Sequence, residues 1–592
     1  MRLKIIVGFI VLVILILLSR VYYLSVMSNT HFEKLSKKNY IKRFYTTSSR
    51  GSIIDRNGKY LAVNKVGFSI NIKPHLRSRT KFQSVEEVSR QIVKYFPQFK
   101  YKKLLKKYKQ LDSPYKHKLI KLVDYIAYDD FFKYYTLFNS NENIEIESAT
   151  IREYLYNDVA AHILGYMGKT TTQDIKIDKM SKYFDKSGRS GIERFYDKTL
   201  RGTIGYQDIQ VDSLYKKIKV LDEVKSTKKD VTLTIDIELQ KYIHELFGKK
   251  AGAVVVMDVK NGELLAAGSF PEFDNNLFVN GISHKAWKSI QEDFNHPFTN
   301  KLVNGLYPPG SVMKMGIALS FLENNISPRF NVYCNGEMQL GNRKFRCWND
   351  KGHRYTSFVK AIRESCDDFF YKGSLKVGIN NIHKSLDRFG IGQITGIDLP
   401  NESKGINPNK MWKKRYKKLP WYVGETVVAS IGQGFITVTP MQIARYTGAM
   451  ATNQLQRPHL LKDDSLIDSV DTNISRRDIK IIQKGMYHVA NKPFGTAVHY
   501  IKSKTTVAAK TGTAQVVGIP QSEKKRMKEH ELAYFKRSQA WLTTYAPYKN
   551  PQYVITILVE HGGHGGSAAG PMVGKIYNKL IKLGYIDEKE SK

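Results

Sequence analysis

The sequence predicts an α+β protein whose main sheet is antiparallel and is assembled from both ends of a C-terminal domain. Two apolar runs, AGAVVVMDV and ELLAAGS, flank Asn261-Gly262, which is a strong short-range signal for a β-hairpin. Three more strand candidates lie near the C-terminus, in TTVAAKTGTAQVV, QAWLTTYAP and QYVITILVEHG. The region between them is mostly helical. We therefore expect one five-stranded antiparallel sheet with helices, preceded by an N-terminal region and one transmembrane helix.

The N-terminus predicts a membrane anchor. After MRLK, residues 5–27 carry a single charge, Arg20, and 23 residues of helix are long enough to cross about 30 Å of hydrocarbon. No small-x-small cleavage site follows, so an uncleaved anchor over residues 1–27 is favoured over a signal peptide or a buried core helix. Arg2 and Lys4 favour a cytoplasmic N-terminus, with residues 28–592 outside the plasma (inner) membrane.

The charge of the chain first suggests nucleic acid, because the formal net charge is +40. Lysines are spread along the whole chain, however, and residues 94–121 hold ten of them with a single acid. There, YKKLLKKYK predicts an amphipathic helix with a basic face. For an extracytoplasmic chain, anionic lipid headgroups or wall polymers are better partners than nucleic acid, and a merely solvated surface is the simplest interpretation.

The patterns along the chain predict two regions after the anchor. Residues 28–225 form the first, with a hairpin at Asn57-Gly58 and a Lys-rich helical part at about 75–150. The charged stretch 220–230 is typical of a linker. The second region spans 240–588, and its first helix is expected to begin near Ile237.

One candidate nucleophile lies in YPPGSVMKMGIALSFL. Pro308, Pro309 and Gly310 prevent a helix from extending backwards, so Ser311 is expected at or near a helix N-terminus. One helical turn then places Ser311 and Lys314 on the same face. A serine hydroxyl becomes nucleophilic when a nearby base accepts its proton, and a desolvated lysine can be that base.

Two further motifs follow in a fixed order. Ser365-Cys366-Asp367 comes first, and Lys510-Thr511-Gly512-Thr513 lies on a predicted edge strand. Singly, these motifs could be a helix cap and a strand end. Their order, spacing and placement together favour a catalytic role.

S-x-x-K, S-x-D and K-T-G in this order resemble the motifs of penicillin-binding proteins and serine β-lactamases. Almost the whole chain after the anchor resembles the class B penicillin-binding proteins, and within them the penicillin-binding protein 2 group of cell elongation. The text that carries this resemblance is RGSIIDRNG, GRSGIERFYDKTLRG, NGLYPPGSVMK, GTA at 495–497 and ASIGQGFITVTPMQIA.

The resemblance implies a fold, an activity and roles for individual residues. The fold would be a serine transpeptidase/β-lactamase-like domain after an elongated pedestal domain of the dimerisation type. The enzyme would be a peptidoglycan D,D-transpeptidase that cross-links stem peptides through a serine acyl-enzyme, with carboxypeptidase cleavage as a side activity and no cofactor for the chemistry. Its catalytic residues would be Ser311 (nucleophile), Lys314 (base), Ser365 (proton relay), Asp367, which stands where many relatives have asparagine, and Lys510. Thr511, Gly512 and Thr513 would bind substrate, and the N–H groups of Ser311 and Thr513 would form the oxyanion hole.

The resemblance also implies partners and leaves alternatives open. Expected partners are stem peptides, β-lactam antibiotics, the membrane, a SEDS-type glycosyltransferase and the elongation machinery that maintains cell shape. A division-specific class B transpeptidase, a penicillin-sensing receptor and a β-lactamase use the same motifs. A secreted β-lactamase needs no permanent anchor and no region of some 200 residues before its catalytic domain.

All three cysteines of the chain fall within residues 334–366, together with His353. An extracytoplasmic location favours a disulfide, but three is an odd number. Cys334, Cys347, His353 and Cys366 also match the donor set of a closed structural zinc site, and Asp350 is a possible substitute ligand. The resemblance favours zinc over a Cys334–Cys347 disulfide, because members of the penicillin-binding protein 2 group are described with zinc in this region.

Overall fold

The computed structural model describes residues 1–27, 34, 40–76, 79–115, 118–212, 217–518 and 528–587. Parts of the predicted first region, such as 28–33, and residues 519–527 and 588 of the predicted second region therefore lie outside the described residues. Contacts divide the chain into two compact units. The first unit comprises Met1–Gly51, Thr170–Asp185 and Lys198–Lys229. The second unit comprises Ser52–Lys169, Lys186–Asp197 and Asp230–Lys592.

The first unit contains the predicted anchor and a small sheet. An α-helix, Arg2–Tyr22, continues into a π-helical turn, Tyr23–Met27, and none of its residues is buried. This helix is long and apolar enough to cross a membrane. The antiparallel sheet has the spatial order Ile41–Thr47, Ile204–Val211, Lys217–Val224. The unit also holds the helix Thr172–Ile177 and a 3₁₀ turn, Lys179–Tyr183, while the helix Asp197–Arg201 begins at its boundary.

The prediction of a linker over 220–230 is wrong for its first half, because Lys217–Val224 is a strand. The strand is exposed along almost its whole length, so its composition resembles that of a linker. Its pairing with Ile204–Val211 is supported by polar cross-strand contacts, including Gln207 Nε2 to Glu223 Oε1 at 2.9 Å and Tyr206 OH to Asp222 Oδ2 at 3.1 Å.

The second unit begins with a five-stranded sheet organised by one long strand, Tyr60–Ile72. The predicted hairpin at Asn57-Gly58 is confirmed. Gly58 has a φ of +84°, and the Asp55 carboxylate accepts the N–H groups of Asn57 and Lys59 across the turn. The other strands of this sheet are Ile53–Ile54, Ile120–Ala127, Ile144–Tyr154 and Val231–Thr232.

The Lys-rich part at about 75–150 is only partly helical. The predicted amphipathic helix is confirmed as Tyr101–Leu111, with Leu104 and Tyr108 buried and most of its lysines outward. Two strands, Ile120–Ala127 and Ile144–Tyr154, also cross this part. The apolar residues of these strands face the same core as the helices. The strands were not predicted because the lysine-rich composition masks their alternation of apolar and polar residues. The other helices here are Arg79–Tyr95, Tyr128–Phe132 and Tyr135–Asn139.

A buried ion pair connects this sheet with the short elements that follow it in the chain. Arg152 Nε donates to Glu193 Oε1 at 2.7 Å, and both side chains are almost fully buried. The Tyr154 hydroxyl donates to the same carboxylate at 3.3 Å. The short elements around the pair are the helices Ala161–Leu164 and Gly191–Phe195 and the paired strands Met167–Lys169 and Lys186–Gly188.

The C-terminal part carries the predicted five-stranded antiparallel sheet. Two early strands and three late strands pair in the order Leu264–Phe270, Gly252–Asp258, Tyr553–Val559, Gln539–Ala546, Ala508–Ala514. The Asn261-Gly262 hairpin is confirmed, with a φ of +84° at Gly262. The helix predicted near Ile237 is Ile237–Phe247, capped by Asp236, which accepts the N–H groups of Glu238 and Leu239.

Helices cover both faces of this sheet. Neighbouring residues of one strand point to opposite faces, and Thr543 Oγ1 bonds to Thr447 of the helix Pro440–Thr452, whereas Thr544 Oγ1 bonds to Tyr577 of the helix Gly565–Lys582. The other helices are His284–Gln291, Lys314–Glu323, Phe358–Arg363, Asp367–Val377, Ile379–Asp387, Lys410–Lys417, Val423–Ala429 and Arg476–Asn491. The 3₁₀ turns are Asn275–Phe278, Gly310–Met313, Asp464–Leu466, Glu529–Glu531 and Tyr534–Lys536. The small ladders pair Val332–Cys334 with Arg354–Thr356, Glu337–Leu340 with Arg343–Arg346, and Gln454–Gln456 with Ser469–Asp471.

Glu193→Gln is expected to destabilise the second unit by about 3 kcal/mol, because it leaves the Arg152 guanidinium buried without its carboxylate. The measurement is the thermal unfolding midpoint of the full chain in detergent. Glu238→Gln is the matched control, since Glu238 pairs with Lys59 on the surface and both side chains are 46% exposed. An equal fall in the midpoint for both variants would contradict the structural role of the buried pair.

Candidate active site

Ser311 lies in a 3₁₀ turn, Gly310–Met313, that leads directly into the helix Lys314–Glu323. The prediction of a helix start at this serine is therefore confirmed, with a tighter first turn than an α-helix. Gly310 has a φ of +57°, and a Cβ at this position would lie 3.2 Å from the Thr513 carbonyl oxygen. The serine turn thus packs against the K-T-G strand, Ala508–Ala514. Ser311 itself is partly exposed, whereas the residues that follow it are buried.

Lys314 is fully buried and its ammonium group is held by the second motif. Its Nζ donates to Asp367 Oδ1 at 2.6 Å, to the Ser365 carbonyl at 2.9 Å and to Ser365 Oγ at 3.3 Å. The Phe370 ring centroid lies 5.2 Å from the same nitrogen. The helix Lys314–Glu323 is therefore joined to the S-x-D motif by charge-assisted hydrogen bonds in a dry environment.

Lys510 reaches Ser365 from the opposite side. Its Nζ donates to Ser365 Oγ at 3.0 Å and to the Thr511 carbonyl at 2.9 Å. Burial lowers the pKa of Lys510 well below its ordinary value, and the positive charge of Lys314 lowers this pKa further. The Ser365 hydroxyl therefore lies between two lysine nitrogens, one from each neighbouring motif.

Ser365 has a left-handed backbone, with a φ of +54°, which is costly for a residue with a side chain. Two donors hold this conformation through the Ser365 carbonyl, namely Lys314 Nζ and the indole Nε1 of Trp348, at 2.9 and 3.1 Å. Trp348 also donates its backbone N–H to Asp367 Oδ2 at 2.9 Å. Trp348 is a site residue that the sequence motifs do not predict. Its position directly after Cys347 is the signal that could have revealed it.

The K-T-G strand is the last strand of the sheet, and its glycine permits a close approach. A Cβ on Gly512 would lie 3.0 Å from the Pro309 carbonyl oxygen and 2.9 Å from Trp541 Cβ, so a larger residue would push the strand away from the serine turn. Thr511 is buried and its Oγ1 lies 2.7 Å from Thr496 Oγ1. Thr496 belongs to the G-T-A text at 495–497, whose contact with this strand the sequence did not reveal.

The cysteine cluster adjoins this site. The ligand atoms of Cys334, Cys347, His353 and Cys366 all lie within 4.8 Å of one another, and all four residues are buried. His353 Nδ1 is 3.7 Å from Cys334 Sγ and 3.5 Å from Cys347 Sγ. The three cysteines are free thiols, so no disulfide joins them. Asp350 is exposed and is not part of the cluster, so its prediction as a substitute ligand is wrong.

These four residues could hold a metal ion. Three sulfurs and one imidazole nitrogen are the donors of a closed tetrahedral site, whose sulfurs would be about 3.8 Å apart for Zn–S bonds of about 2.3 Å. The ligand atoms of the cluster, all within 4.8 Å of one another, are close enough to share one ion of this kind. Asp367 connects the cluster with the rest of the site, because its N–H donates to Cys347 Sγ at 3.3 Å while its carboxylate binds Lys314.

The comparisons with known proteins agree with this arrangement. Residues 252–581 match the penicillin-binding protein transpeptidase domain, and residues 45–233 match the penicillin-binding protein dimerisation domain. The chain belongs to the penicillin-binding proteins. It is 32% identical to the peptidoglycan D,D-transpeptidase MrdA of Haemophilus influenzae, over 96% of this chain and 89% of that protein. The MrdA protein of Escherichia coli K12 is also 32% identical, over 96% of this chain and 91% of that protein.

The solved structures place the chain in the penicillin-binding protein 2 group. In a complex with MreC, penicillin-binding protein 2 of Helicobacter pylori is 40% identical, with a TM-score of 0.85 over 93% of this chain and all of that chain. Penicillin-binding protein 2 of Pseudomonas aeruginosa is 27% identical, with a TM-score of 0.67 over 93% of this chain and 98% of that one. The family assignment made from the sequence motifs is therefore confirmed.

Gly512→Ala is expected to slow acylation by penicillin at least about tenfold, because the added methyl group would separate the K-T-G strand from the Pro309 carbonyl. The measurement is the second-order rate of labelling by a fluorescent penicillin. Gly518→Ala is the matched control on the same stretch of chain, since a Cβ there meets nothing within 4 Å. Wild-type labelling of the Gly512 variant would show that this close approach has no kinetic importance.

Proposed function

We propose that this chain is the membrane-anchored transpeptidase that cross-links peptidoglycan during cell elongation. The observation that carries the proposal is the convergence of three motifs on one hydroxyl: Ser365 Oγ lies 3.3 Å from Lys314 Nζ and 3.0 Å from Lys510 Nζ, beside the turn that presents Ser311. The similarity to MrdA proteins over almost the whole chain supports elongation rather than division, sensing or β-lactam hydrolysis.

In the first step, Ser311 Oγ attacks the carbonyl of the penultimate D-alanine of a stem peptide and forms a C–O bond. Lys314 accepts the hydroxyl proton as general base. The extra proton that Lys314 must first release can pass to Asp367 Oδ1, which is 2.6 Å away. The peptide C–N bond then breaks, and the departing D-alanine nitrogen takes a proton from the Ser365 hydroxyl. Ser365 in turn receives the proton that Lys314 took from Ser311, across the 3.3 Å between Lys314 Nζ and Ser365 Oγ.

The K-T-G strand binds and stabilises the reacting peptide. Backbone N–H groups of Ser311 and Thr513 stabilise the oxyanion of the tetrahedral intermediate. Lys510, Thr511 and Thr513 line the opposite wall and bind the terminal carboxylate. The Thr496 contact fixes the Thr511 rotamer at this wall.

In the second step, an amine of another stem peptide attacks the acyl-enzyme carbonyl. A new C–N bond forms, the C–O bond to Ser311 breaks, and the amine proton returns through Lys314 to Ser311. The product is a cross-link between two strands. Attack by water instead of an amine gives the carboxypeptidase side reaction.

The cysteine cluster is proposed to hold zinc through the sulfurs of Cys334, Cys347 and Cys366 and through His353 Nδ1. A zinc ion in such a site acts as a structural cross-link. Trp348 and Asp367 adjoin cluster residues in the sequence, and both bind the catalytic motifs. The cluster residues therefore position Ser365 and Lys314 without taking part in the chemistry.

The N-terminal helix is proposed as a single-pass anchor in the inner membrane, with Arg2 and Lys4 in the cytoplasm and the catalytic residues outside. The Helicobacter pylori complex joins penicillin-binding protein 2 to MreC, which supports an MreC-type partner for this chain. A SEDS-type glycosyltransferase that supplies the glycan strands remains a proposal from the family resemblance. The domain limits 28–225 and 240–588 are proposals of the same kind.

Ser311→Ala is expected to abolish both covalent labelling by penicillin and cross-linking of supplied glycan strands, because both reactions need the same hydroxyl. The measurements are fluorescence of the denatured protein on a gel and mass analysis of muropeptides. Ser567→Ala is the matched control on an exposed serine. Labelling of the wild-type chain without cross-linking, in the presence of a glycosyltransferase and its product, would favour a penicillin-sensing receptor.

Cys366→Ser removes one of the four proposed ligands, so the zinc content is expected to fall below one ion per chain. Acylation by penicillin is expected to slow roughly tenfold, because the loss of a metal site that positions Ser365 weakens the support of the catalytic motifs. Zinc is measured by elemental analysis of purified protein, with free thiols counted before and after chelation. Asp350→Asn is the control from the same loop, outside the cluster. A metal-free wild-type protein with one disulfide would overturn the zinc site, and an unchanged acylation rate would limit the cluster to a local role.

A further inference from the structure

The transpeptidase part carries a concentrated basic and aromatic surface that the catalytic motifs do not use. Residues 410–423, KMWKKRYKKLPWYV, contain six lysine or arginine residues, four aromatic residues and no acid. The first eight form the helix Lys410–Lys417, which Lys418 ends with a left-handed backbone. We call these residues the basic-aromatic segment.

The basic-aromatic segment is anchored by the one cation in it that is buried, Lys413. Its Nζ pairs with Glu425 and lies 4.4 Å from the Tyr422 ring centroid and 5.8 Å from that of Phe435. The Asn409 side chain accepts the Trp412 N–H at 2.7 Å and caps the helix. These contacts fix the segment, so its remaining cations are presented to solvent on an ordered scaffold.

The outward side of the segment mixes charge with exposed apolar area. Met411 is 79% exposed, Tyr416 60% and Tyr422 56%. The cations Lys414, Arg415, Lys417 and Lys418 are exposed among them. Large apolar side chains that are exposed together and rimmed by polar groups mark an interaction site more often than a merely solvated face.

The segment is connected to the active site through the chain. It lies on an excursion of the chain whose two ends are paired, since Ile406 and Thr437 exchange backbone hydrogen bonds. The returning part of this excursion packs on the serine turn, where Gly310 N donates to the Gly432 carbonyl at 2.9 Å. The basic-aromatic segment therefore belongs to the same excursion of the chain that contacts Gly310, the residue preceding Ser311.

We propose that the basic-aromatic segment binds a nascent, un-cross-linked peptidoglycan strand and so holds it beside the reacting stem peptide. This inference rests on the proposed transpeptidase function. Stem peptides repeat along a strand and carry carboxylates, which complement the exposed cations, while the aromatic rings offer flat apolar faces to the sugar rings. A membrane surface is also anionic, but a strand is favoured because the segment belongs to the chain excursion that packs on the serine turn, where this polymer reacts.

The experiment uses the full chain in detergent and fluorescent un-cross-linked strands with intact stem peptides. The variant is the triple change Lys414→Gln, Arg415→Gln and Lys417→Gln, which retains good helix formers. The control is Lys102→Gln, Lys103→Gln and Lys106→Gln, which removes the same charge from the exposed face of the helix Tyr101–Leu111. Strands stripped of stem peptides by an amidase, and vesicles containing phosphatidylglycerol, serve as the comparison ligands.

The segment variant is expected to bind intact strands roughly fivefold to tenfold more weakly, by the loss of three exposed charge interactions, while the control variant binds like the wild type. Its KM for strand cross-linking should rise by a similar factor with kcat retained, and its thermal midpoint should stay unchanged. Four results would each overturn the proposal. They are equal weakening in both variants, wild-type binding by the segment variant, equal binding of intact and stripped strands, and loss of vesicle binding alone. Penicillin labelling of wild-type Ser311 is measured in parallel, and its absence would instead refute the transpeptidase function.

Discussion

The contact on which the rest of the site depends is the buried pair between Lys314 and Asp367, at 2.6 Å. The Lys314 side chain is completely buried, and an ammonium group in such a place is costly unless an anion and further acceptors surround it. Asp367 supplies the charge, and the Ser365 carbonyl supplies a neutral acceptor. The need to satisfy this one cation therefore brings the first two motifs together.

The Asp367 carboxylate also links Lys314 to the region of the cysteine cluster. One oxygen of Asp367 binds Lys314 and the other binds the N–H of Trp348, which follows Cys347. Trp348 in turn holds the left-handed Ser365 through its indole. Residues of the cysteine cluster and residues of the catalytic motifs thus alternate along one short stretch of chain, so the contacts around the cluster help to determine where Ser365 Oγ lies.

Much of the fold was predictable from local signals, whereas much of the bracing of the site was not. Asn-Gly pairs marked both hairpins because the turn chemistry is local, and the order of the three motifs identified Ser311 as the candidate nucleophile. The contacts of Trp348 and Thr496 escaped prediction because hydrogen bonds between residues distant in the sequence leave no periodic pattern. The strand Lys217–Val224 was mistaken for a linker because an exposed strand buries too little apolar surface to show alternation.

The position of the K-T-G strand at the end of the sheet has a consequence for selectivity. In the described chain no other strand pairs with its outer side, so the sheet does not use the outward N–H and C=O groups of this edge. A stem peptide can then add to the sheet as an extra strand, recognised mainly through its main chain. Recognition of this kind is tolerant of side-chain identity but strict about backbone shape and chirality. The sheet edge would accordingly admit varied peptides while rejecting those that cannot lie extended along it.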